Sequence, residues 1–145
     1  MLRLALGVVM FPHGAQKMLG WFGGSGFSGA MGGFQHMGIP AVFAFLAISA
    51  EFFGGLGLIL GLLSRVAGFG ILCNMVVAIL TVHASNGLFM NWSGHQKGEG
   101  FEFHLLAIAI SAAVLIGGGG ALSLDRVLSG SSSRDLLGRK SDALL

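Results

Sequence analysis

The sequence predicts an all-α, polytopic membrane protein, built as a four-helix bundle with both termini in the cytoplasm. The first observation is composition: 54% of the 145 residues are hydrophobic and only 10% are charged, whereas soluble domains average about 25% charged residues. The second is the presence of four apolar segments at 2–19, 40–62, 65–85 and 101–118. As helices, each is about long enough to cross the roughly 30 Å of bilayer hydrocarbon. We therefore predict one membrane domain, 1–128, followed by a disordered polar tail, 129–145.

The first segment resembles a signal peptide, but it has no small-residue cleavage site, and Pro12 and Lys17 interrupt its apolar run. We interpret it as a helix with a kink at Pro12. Pro40 suits the start of the second helix. The Gly-rich stretch between these helices contains Trp21, a residue type enriched at membrane interfaces, so we predict a loop that lies on the bilayer surface or folds back into it.

Lysine and arginine residues are unequally distributed between the two ends of four such spans. One side carries two, Lys17 and Lys97, and the other carries six: Arg3, Arg65, Arg126, Arg134, Arg139 and Lys140. Because the more basic side faces the cytoplasm, both termini are predicted to be cytoplasmic.

The second segment carries a carboxylate, Glu51, near its middle. A charge at that depth costs roughly 2.5–3.5 kcal/mol on insertion scales, so Glu51 is predicted to face protein. Small residues follow one side of the same helix, a pattern that favours close helix packing in membranes. These are Ala47, Ala50, Gly54, Gly57, Gly61 and Ser64.

Several ionisable residues fall in the outer half of the predicted bundle. His13 and Lys17 share a helix face at i,i+4, His83 ends the third helix, and Glu102 begins the fourth. Together with Glu51 they predict an outward-opening polar pocket, in which these five residues bind a ligand or relay protons. Alternatively, Glu51 makes a purely structural ion pair or hydrogen bond with Lys17, His13 or Asn74.

Other polar residues are predicted to have structural roles: Asn74, Arg65 and Asp125. On a straight helix His83 and Asn74 lie on opposite faces, so a common centre would require a distorted helix. Glu102 is expected to face inward, and His104, two residues later, to face away. His36 and His95 are expected to be surface residues.

Several kinds of site are excluded or disfavoured by the residues present. Cys73 is the single cysteine, so neither an internal disulfide nor a Cys-x-x-Cys centre can form. Neither an HExxH motif nor a Glu-x-x-His pair occurs, so we predict no metal site. The chain also has no haem motif, no flavin fingerprint and no basic, aromatic face of the kind that binds nucleic acid.

Five motifs, in order, resemble the DoxX family of small bacterial and archaeal membrane proteins. They are His13-Gly-Ala-Gln-Lys17 with Gly20; Ala50-Glu51-Phe-Phe-Gly54-Gly55 with Gly61 and Arg65; His83 with Asn86-Gly87; Gly98-Glu-Gly-Phe-Glu102; and Ala121-Leu-Ser-Leu-Asp125. The resemblance implies a four-helix fold in a bacterial or archaeal cytoplasmic membrane. Relatives include the membrane subunit of an archaeal thiosulfate:quinone oxidoreductase and proteins of sulfur or oxidative-stress chemistry. Phe101 replaces a more usual Tyr, and Gly119 a usual Pro.

Two functions from different classes are compatible with these residues. The favoured one is a redox-linked membrane subunit that binds a quinone-like molecule in the outward pocket and receives electrons from a partner protein, as part of a quinone-linked oxidoreductase. The alternative is a structural or assembly subunit of a larger membrane complex. Solute transport is less favoured, because four helices without an inverted repeat would need to form a homo-oligomer.

Overall fold

The computed structural model describes residues 1–130, which are helical apart from the connecting turns and loops. Five α-helices have both ends among these residues: α1 (Leu2–Leu19), α2 (Gly26–His36), α3 (Ala41–Leu60), α4 (Ser64–Ala78) and α5 (Glu102–Gly117). Residues 124–130 are helical as well. A π-helical turn, Ile79–His83, and a 3₁₀ turn, Ala84–Asn86, extend α4, and a short 3₁₀ turn, Trp21–Gly23, follows α1. From residue 131 onward the predicted disordered tail lies outside the described residues.

All four predicted apolar segments are helices, with ends within a few residues of those expected. The predicted loop between the first two is wrong in part, because it contains α2. Glycine lowers helix propensity, and α2 has four glycines in 11 residues, GFSGAMGGFQH. The helix instead depends on its tertiary contacts, since it packs against both α1 and α3.

Glycines let α1 and α3 pack backbone to backbone as an antiparallel pair. A Cβ atom added at Gly14 would lie 2.4 Å from the Cα of Phe52, and one at Gly55 would lie 2.7 Å from the backbone nitrogen of Phe11. Neither position can therefore hold a side chain at this helix separation. The two positions lie one turn apart along the contact, so close approach continues along the helix pair.

Two of the small residues of α3 that were predicted to favour close helix packing face α4. Gly54 lies against Ile71, and Ala50 lies against Gly70. Helix α4 in turn packs against α5, and α5 against α1. The core between the helices is apolar and comprises Leu6, Met10, Leu58, Ile71, Met75, Ala107 and Val114.

One end of the molecule joins the start of α1 to the segment after α5. Arg3 is buried and donates to the carbonyl oxygens of Leu58 (2.6 Å), Ile59 (3.0 Å) and Leu122 (2.6 Å). It thereby satisfies the carbonyls that the end of α3 leaves without intrahelical partners. The first residues of the chain and residues 119–125 consequently meet at the same end.

Two helical segments are long and apolar enough to cross a membrane, Ala41–Leu60 and Ser64–Asn86, and Glu102–Gly117 is a shorter apolar helix. Many large apolar side chains on these helices are exposed, for example Phe43 at 62%, Phe69 at 56% and Leu106 at 66%. Exposing so large an apolar surface to water is unfavourable, whereas its exposure to lipid is not.

Candidate functional site

The centre of the site is Glu51, which lies in the middle of α3 and is 6% exposed. One carboxylate oxygen pairs with the Lys17 ammonium of α1, and the other accepts a hydrogen bond of 2.8 Å from the Asn74 amide of α4. Three helices thus converge on a single carboxylate. The prediction that Glu51 faces protein is confirmed.

The glycine contact between α1 and α3 brings this ion pair together. Gly14 lies against the backbone of Glu51 and Phe52, and Lys17 is three residues beyond Gly14 on the same face of α1. The lysine stem therefore extends along α3 until its ammonium meets the carboxylate. Lys17 remains 29% exposed while the Glu51 side chain is 7% exposed, so the pair has a partly open side at α1.

A π-helical turn at Ile79–His83 distorts the helix between Asn74 and His83, although the two side chains bind different partners. Its extra residue per turn rotates everything beyond it relative to Asn74. His83 is half-buried and turns toward the loop before α5, where its Nδ1 lies 2.8 Å from the Glu99 carbonyl oxygen. Its ring centroid lies 4.1 Å from that of His104.

His104 and Glu102 have the reverse of their expected placements. His104 was expected to face away, but it is 7% exposed and packs against His83 and Phe103. Its Nδ1 is buried and has no hydrogen-bond partner among residues 1–130.

Glu102 was expected to face inward, but it accepts hydrogen bonds from the Met90 N–H (3.0 Å) and the Trp92 indole N–H (2.8 Å). As the first residue of α5, Glu102 has no preceding helical turn to direct its side chain, and it turns back to order the loop. His104, half a turn later, faces α4. The i,i+2 spacing identified correctly that the two residues diverge but assigned the wrong one to the interior.

His13 lies on the surface between α1 and α5, where its ring centroid is 6.1 Å from that of Phe103. His13 thus lies within electrostatic range of both the ion pair of Lys17 and Glu51 and His104. The remaining histidines, His36 and His95, are exposed, as expected.

Asp125, for which the sequence predicted a structural role, lies at the start of α4. Its carboxylate accepts hydrogen bonds from the N–H groups of Leu63 (2.6 Å) and Ser64 (2.9 Å) at the start of α4. Partial burial acts to raise the pKa of Asp125, but these hydrogen bonds outweigh it and the Arg3 charge adds to them, so the pKa lies below its usual value. Arg65 is exposed and lies beside Gly118.

Sequence reasoning missed two residues, Arg3 and His104. In the sequence analysis Arg3 was counted only as a positive charge for the orientation. Its position at the start of an apolar helix was an available signal that it needs hydrogen-bond acceptors nearby. For His104 the i,i+3 and i,i+7 relation to Ala107 and Ser111, both buried, was an available signal.

The arrangement offers proton donors and acceptors in place of metal ligands. Within residues 1–130 no group of three or more His, Cys, Asp or Glu side chains is placed to hold a metal ion. What converges instead is an ammonium, a carboxylate, an amide and three imidazoles, a set suited to hydrogen bonding and proton transfer. Fold and site together define a small helical membrane protein with a polar centre.

The chain belongs to the DoxX family, whose model matches residues 1–84. That range includes Glu51, Lys17, Asn74, His13 and His83. The chain is also 27% identical, over 125 residues, to a Bacillus subtilis (strain 168) protein named "Putative oxidoreductase CatD", covering 86% of this chain and 82% of that protein. No solved structure gives a significant match.

Proposed function

We propose that this protein is a multi-pass subunit of a redox system in a bacterial or archaeal cytoplasmic membrane, where it binds a quinone-like molecule beside His13, Lys17 and Glu51. In this proposal α1, α3, α4 and α5 form a four-helix bundle in the membrane, both termini are cytoplasmic, and α2 and the 87–101 loop lie on the outer side.

The observation that carries the proposal is the open side of the polar centre. His13 is exposed between α1 and α5, and Lys17 is partly exposed next to it, while Glu51 is buried behind them. An aromatic side chain lies beside the opening, since the ring centroid of Phe103 is 6.1 Å from that of His13. A planar ring with polar carbonyl groups fits such a surface, since it can stack on aromatic side chains and accept hydrogen bonds from an imidazole and an ammonium.

A lipid-soluble molecule could reach this opening laterally from the bilayer. The surrounding exposed surface is apolar, and neutral rings with long apolar tails partition into the same region. The Bacillus subtilis relative is named as a putative oxidoreductase, and that name supports a redox role in this proposal. Because the chain has only one cysteine, it lacks an internal dithiol couple, so electrons come from a partner protein in this proposal.

Quinone binding tests the proposal directly. The full chain in lipid nanodiscs is titrated with a short-chain quinone, and binding is followed by calorimetry. We expect saturable binding that Lys17→Met and His13→Phe weaken by about tenfold each, since each removes one hydrogen-bond donor to a carbonyl. His36→Phe, which replaces an exposed histidine of α2, is the matched control and should bind as the wild type does.

The proposal would be contradicted if the wild-type protein bound no added quinone and also contained no co-extracted quinone after purification from a quinone-producing host. Equal affinities of the wild type, Lys17→Met and His13→Phe would place the binding site elsewhere.

The alternative, a structural or assembly subunit, is favoured by one observation. Glu51 is fully engaged by Lys17 and Asn74, so the network can be explained as a connection between three helices without any ligand. Purification from native membranes separates the two functions. A stoichiometric complex that contains this protein and has no quinone at its polar centre favours the structural function.

A further inference from the structure

An open cavity of about 390 Å³ lies at the end of the molecule where Arg3 meets residues 119–125. Its walls come from the glycine turn, residues 117–120, which follows α5, and from the first turn of the helix at 124–130. The cavity lies beyond the last residue of α5, whereas His104 lies in the first turn of that helix. It is therefore separate from the polar centre.

Two arginine side chains flank this cavity. Arg126 lines it directly, and Arg65 lies against Gly118 of the glycine turn, where an added Cβ would be 3.3 Å from the Arg65 Nε. Both side chains are exposed, and within residues 1–130 neither guanidinium makes a hydrogen bond or an ion pair. Guanidinium groups bind phosphate oxygens through two parallel hydrogen bonds. Two phosphate-binding groups are thus available beside one cavity.

The carboxylate of Asp125 also lines the cavity, and an unengaged negative charge there would oppose an anion. However, its two oxygens accept hydrogen bonds from the N–H groups of Leu63 and Ser64. The charge of Arg3 also acts on this carboxylate. Around the cavity three arginines therefore surround one carboxylate that is already engaged, so the local charge is positive.

The backbone of the cavity adds hydrogen-bond donors. The N–H groups of Gly119, Gly120 and Ala121 have no acceptor among residues 1–130, and all three residues line the cavity. Successive backbone N–H groups in turns form concavities that bind anions. The Ser123 hydroxyl donates to the Gly120 carbonyl oxygen (2.7 Å) and accepts from the Arg126 N–H (3.3 Å). It thereby fixes the backbone of Arg126 next to these donors.

The surroundings of the cavity favour a lipid over a free phosphate ion. Ile116 and Leu122, on either side of the glycine turn, are exposed apolar side chains, and the apolar helix α5 ends at Gly117. The cavity therefore lies where an apolar span ends, with apolar surface beside it for acyl chains. We propose that it binds the phosphate group of an anionic phospholipid through Arg65, Arg126 and the backbone N–H groups.

This lipid site goes beyond the redox function and does not depend on it, because the cavity contains none of the residues proposed to bind the quinone. In the orientation proposed above, this end of the molecule faces the cytoplasm, and the cytoplasmic leaflet carries anionic lipid. One bound headgroup would connect the start of α4, through Arg65, to the helix at 124–130, through Arg126.

Native mass spectrometry of the full chain, released from an uncharged detergent, measures lipid binding directly. Phosphatidylglycerol supplies the anionic headgroup, and phosphatidylcholine is the zwitterionic comparison. We expect the first phosphatidylglycerol to bind the wild type at least about fivefold more tightly than phosphatidylcholine does. Arg65→Gln and Arg126→Gln should each weaken phosphatidylglycerol binding by about fivefold, because each removes one cation beside the headgroup.

Lys140→Gln is the matched control. It removes one positive charge from the same predicted side of the membrane, but from outside the described residues, and should leave phosphatidylglycerol binding unchanged. If Lys140→Gln weakens binding as much as Arg126→Gln does, the lipid responds only to overall charge and the cavity is not its site. Equal affinities of the wild type for the two lipids would also overturn the proposal.

Competition with inorganic phosphate identifies the source of the phosphate group. We expect an equal concentration of inorganic phosphate to leave phosphatidylglycerol bound. Displacement of the lipid at that concentration would assign the cavity to a free phosphate and contradict the lipid site. Because Arg65 and Arg126 are exposed, both variants should fold, and unfolding in detergent checks this. The experiment contains no quinone, so its outcome is independent of quinone binding.

Discussion

At the scale of single residues, Glu51 and Lys17 are unequal partners. The Glu51 side chain is 7% exposed and that of Lys17 is 29% exposed, so the carboxylate depends on the ammonium more than the reverse. Asn74 supplies one further hydrogen bond to the carboxylate but no charge. Removing either charged partner leaves the other beside a low-dielectric interior.

We predict that Lys17→Met destabilises the protein more than Glu51→Gln does. The first change leaves a buried carboxylate without a counter-charge, at a cost of about 3 kcal/mol. The second leaves an ammonium that can reach solvent, at a cost of about 1 kcal/mol after allowance for screening. Unfolding in detergent titrations measures both values.

The double variant Lys17→Met, Glu51→Gln should lose less stability than the sum of the two single variants, because it leaves no unpaired charge. Lys97→Met removes an exposed loop lysine and is the control, with an expected change close to zero. If the stability loss of the double variant equals the sum of the losses of the two single variants, the ion pair contributes nothing to stability.

At the scale of helices, backbone contact between α1 and α3 determines whether the ion pair can form. The closest approach is at Gly14, where an added Cβ would lie 2.4 Å from the backbone of α3. Backbone atoms cannot rotate away as a side-chain tip can, so the two helices would have to separate.

We expect Gly14→Ala to destabilise the protein by about 3 kcal/mol, because the added methyl group separates α1 from α3 and pulls Lys17 away from Glu51. Gly32→Ala in α2 is the matched control. Nothing lies within 4 Å of its added Cβ, and alanine favours a helix by up to about 1 kcal/mol over glycine. Equal effects of the two substitutions on stability would contradict the backbone contact.

A second helix-level prediction concerns the start of α4, which Asp125 caps from a distant part of the chain. Asp125→Ala removes the acceptor for the Leu63 and Ser64 N–H groups and should cost about 1 kcal/mol at neutral pH. Because the pKa of Asp125 is lowered by folding, this contribution is fully present above its unfolded-state pKa of about 3.9. It is lost as the pH falls through the lowered folded-state pKa.

Unfolding of the wild type and Asp125→Ala between pH 7 and pH 2 measures this dependence. The difference in stability between them should disappear at the acidic end of the range. A difference that persists unchanged at the lowest pH would show that the carboxylate charge is not what stabilises α4.

At the scale of the whole molecule, the two ends of the helices differ in chemistry. Arg3 and Asp125 join the start of α1, the α3–α4 turn and residues 119–125 at one end. The other end carries α2, the loop 87–101 and exposed aromatic residues such as Trp92, which is 85% exposed. Tryptophan is typical of the membrane–water interface.

We predict from the positive-inside rule that the Arg3 end is cytoplasmic. A membrane-impermeant maleimide added to intact spheroplasts should label Trp92→Cys in a Cys73→Ser background. Arg126→Cys in the same background should react only after permeabilisation. Labelling of Arg126→Cys in intact spheroplasts would reverse the proposed orientation.

The sequence by itself determined the helical class, the positions of four helices, the burial of Glu51 and Asn74 as one of the possible partners of Glu51. Each depends on local composition, or on a charge whose cost in an apolar segment is large enough to require a partner. The helix propensity of its residues could not reveal α2, because this Gly-rich segment depends on contacts with α1 and α3 to become helical.

Only the tertiary structure decided the partners among the polar residues. The π-helical turn that ends at His83 changes which side chains this helix directs at α5. A projection onto a straight helix places the residues at the end of such a turn on the wrong face. Glu102 and His104 exchanged their expected roles because Glu102, the first residue of α5, turns back to the loop, while His104 faces α4. Helix faces can be read from spacing, but the groups that meet across an interface depend on helix register, which long-range packing determines.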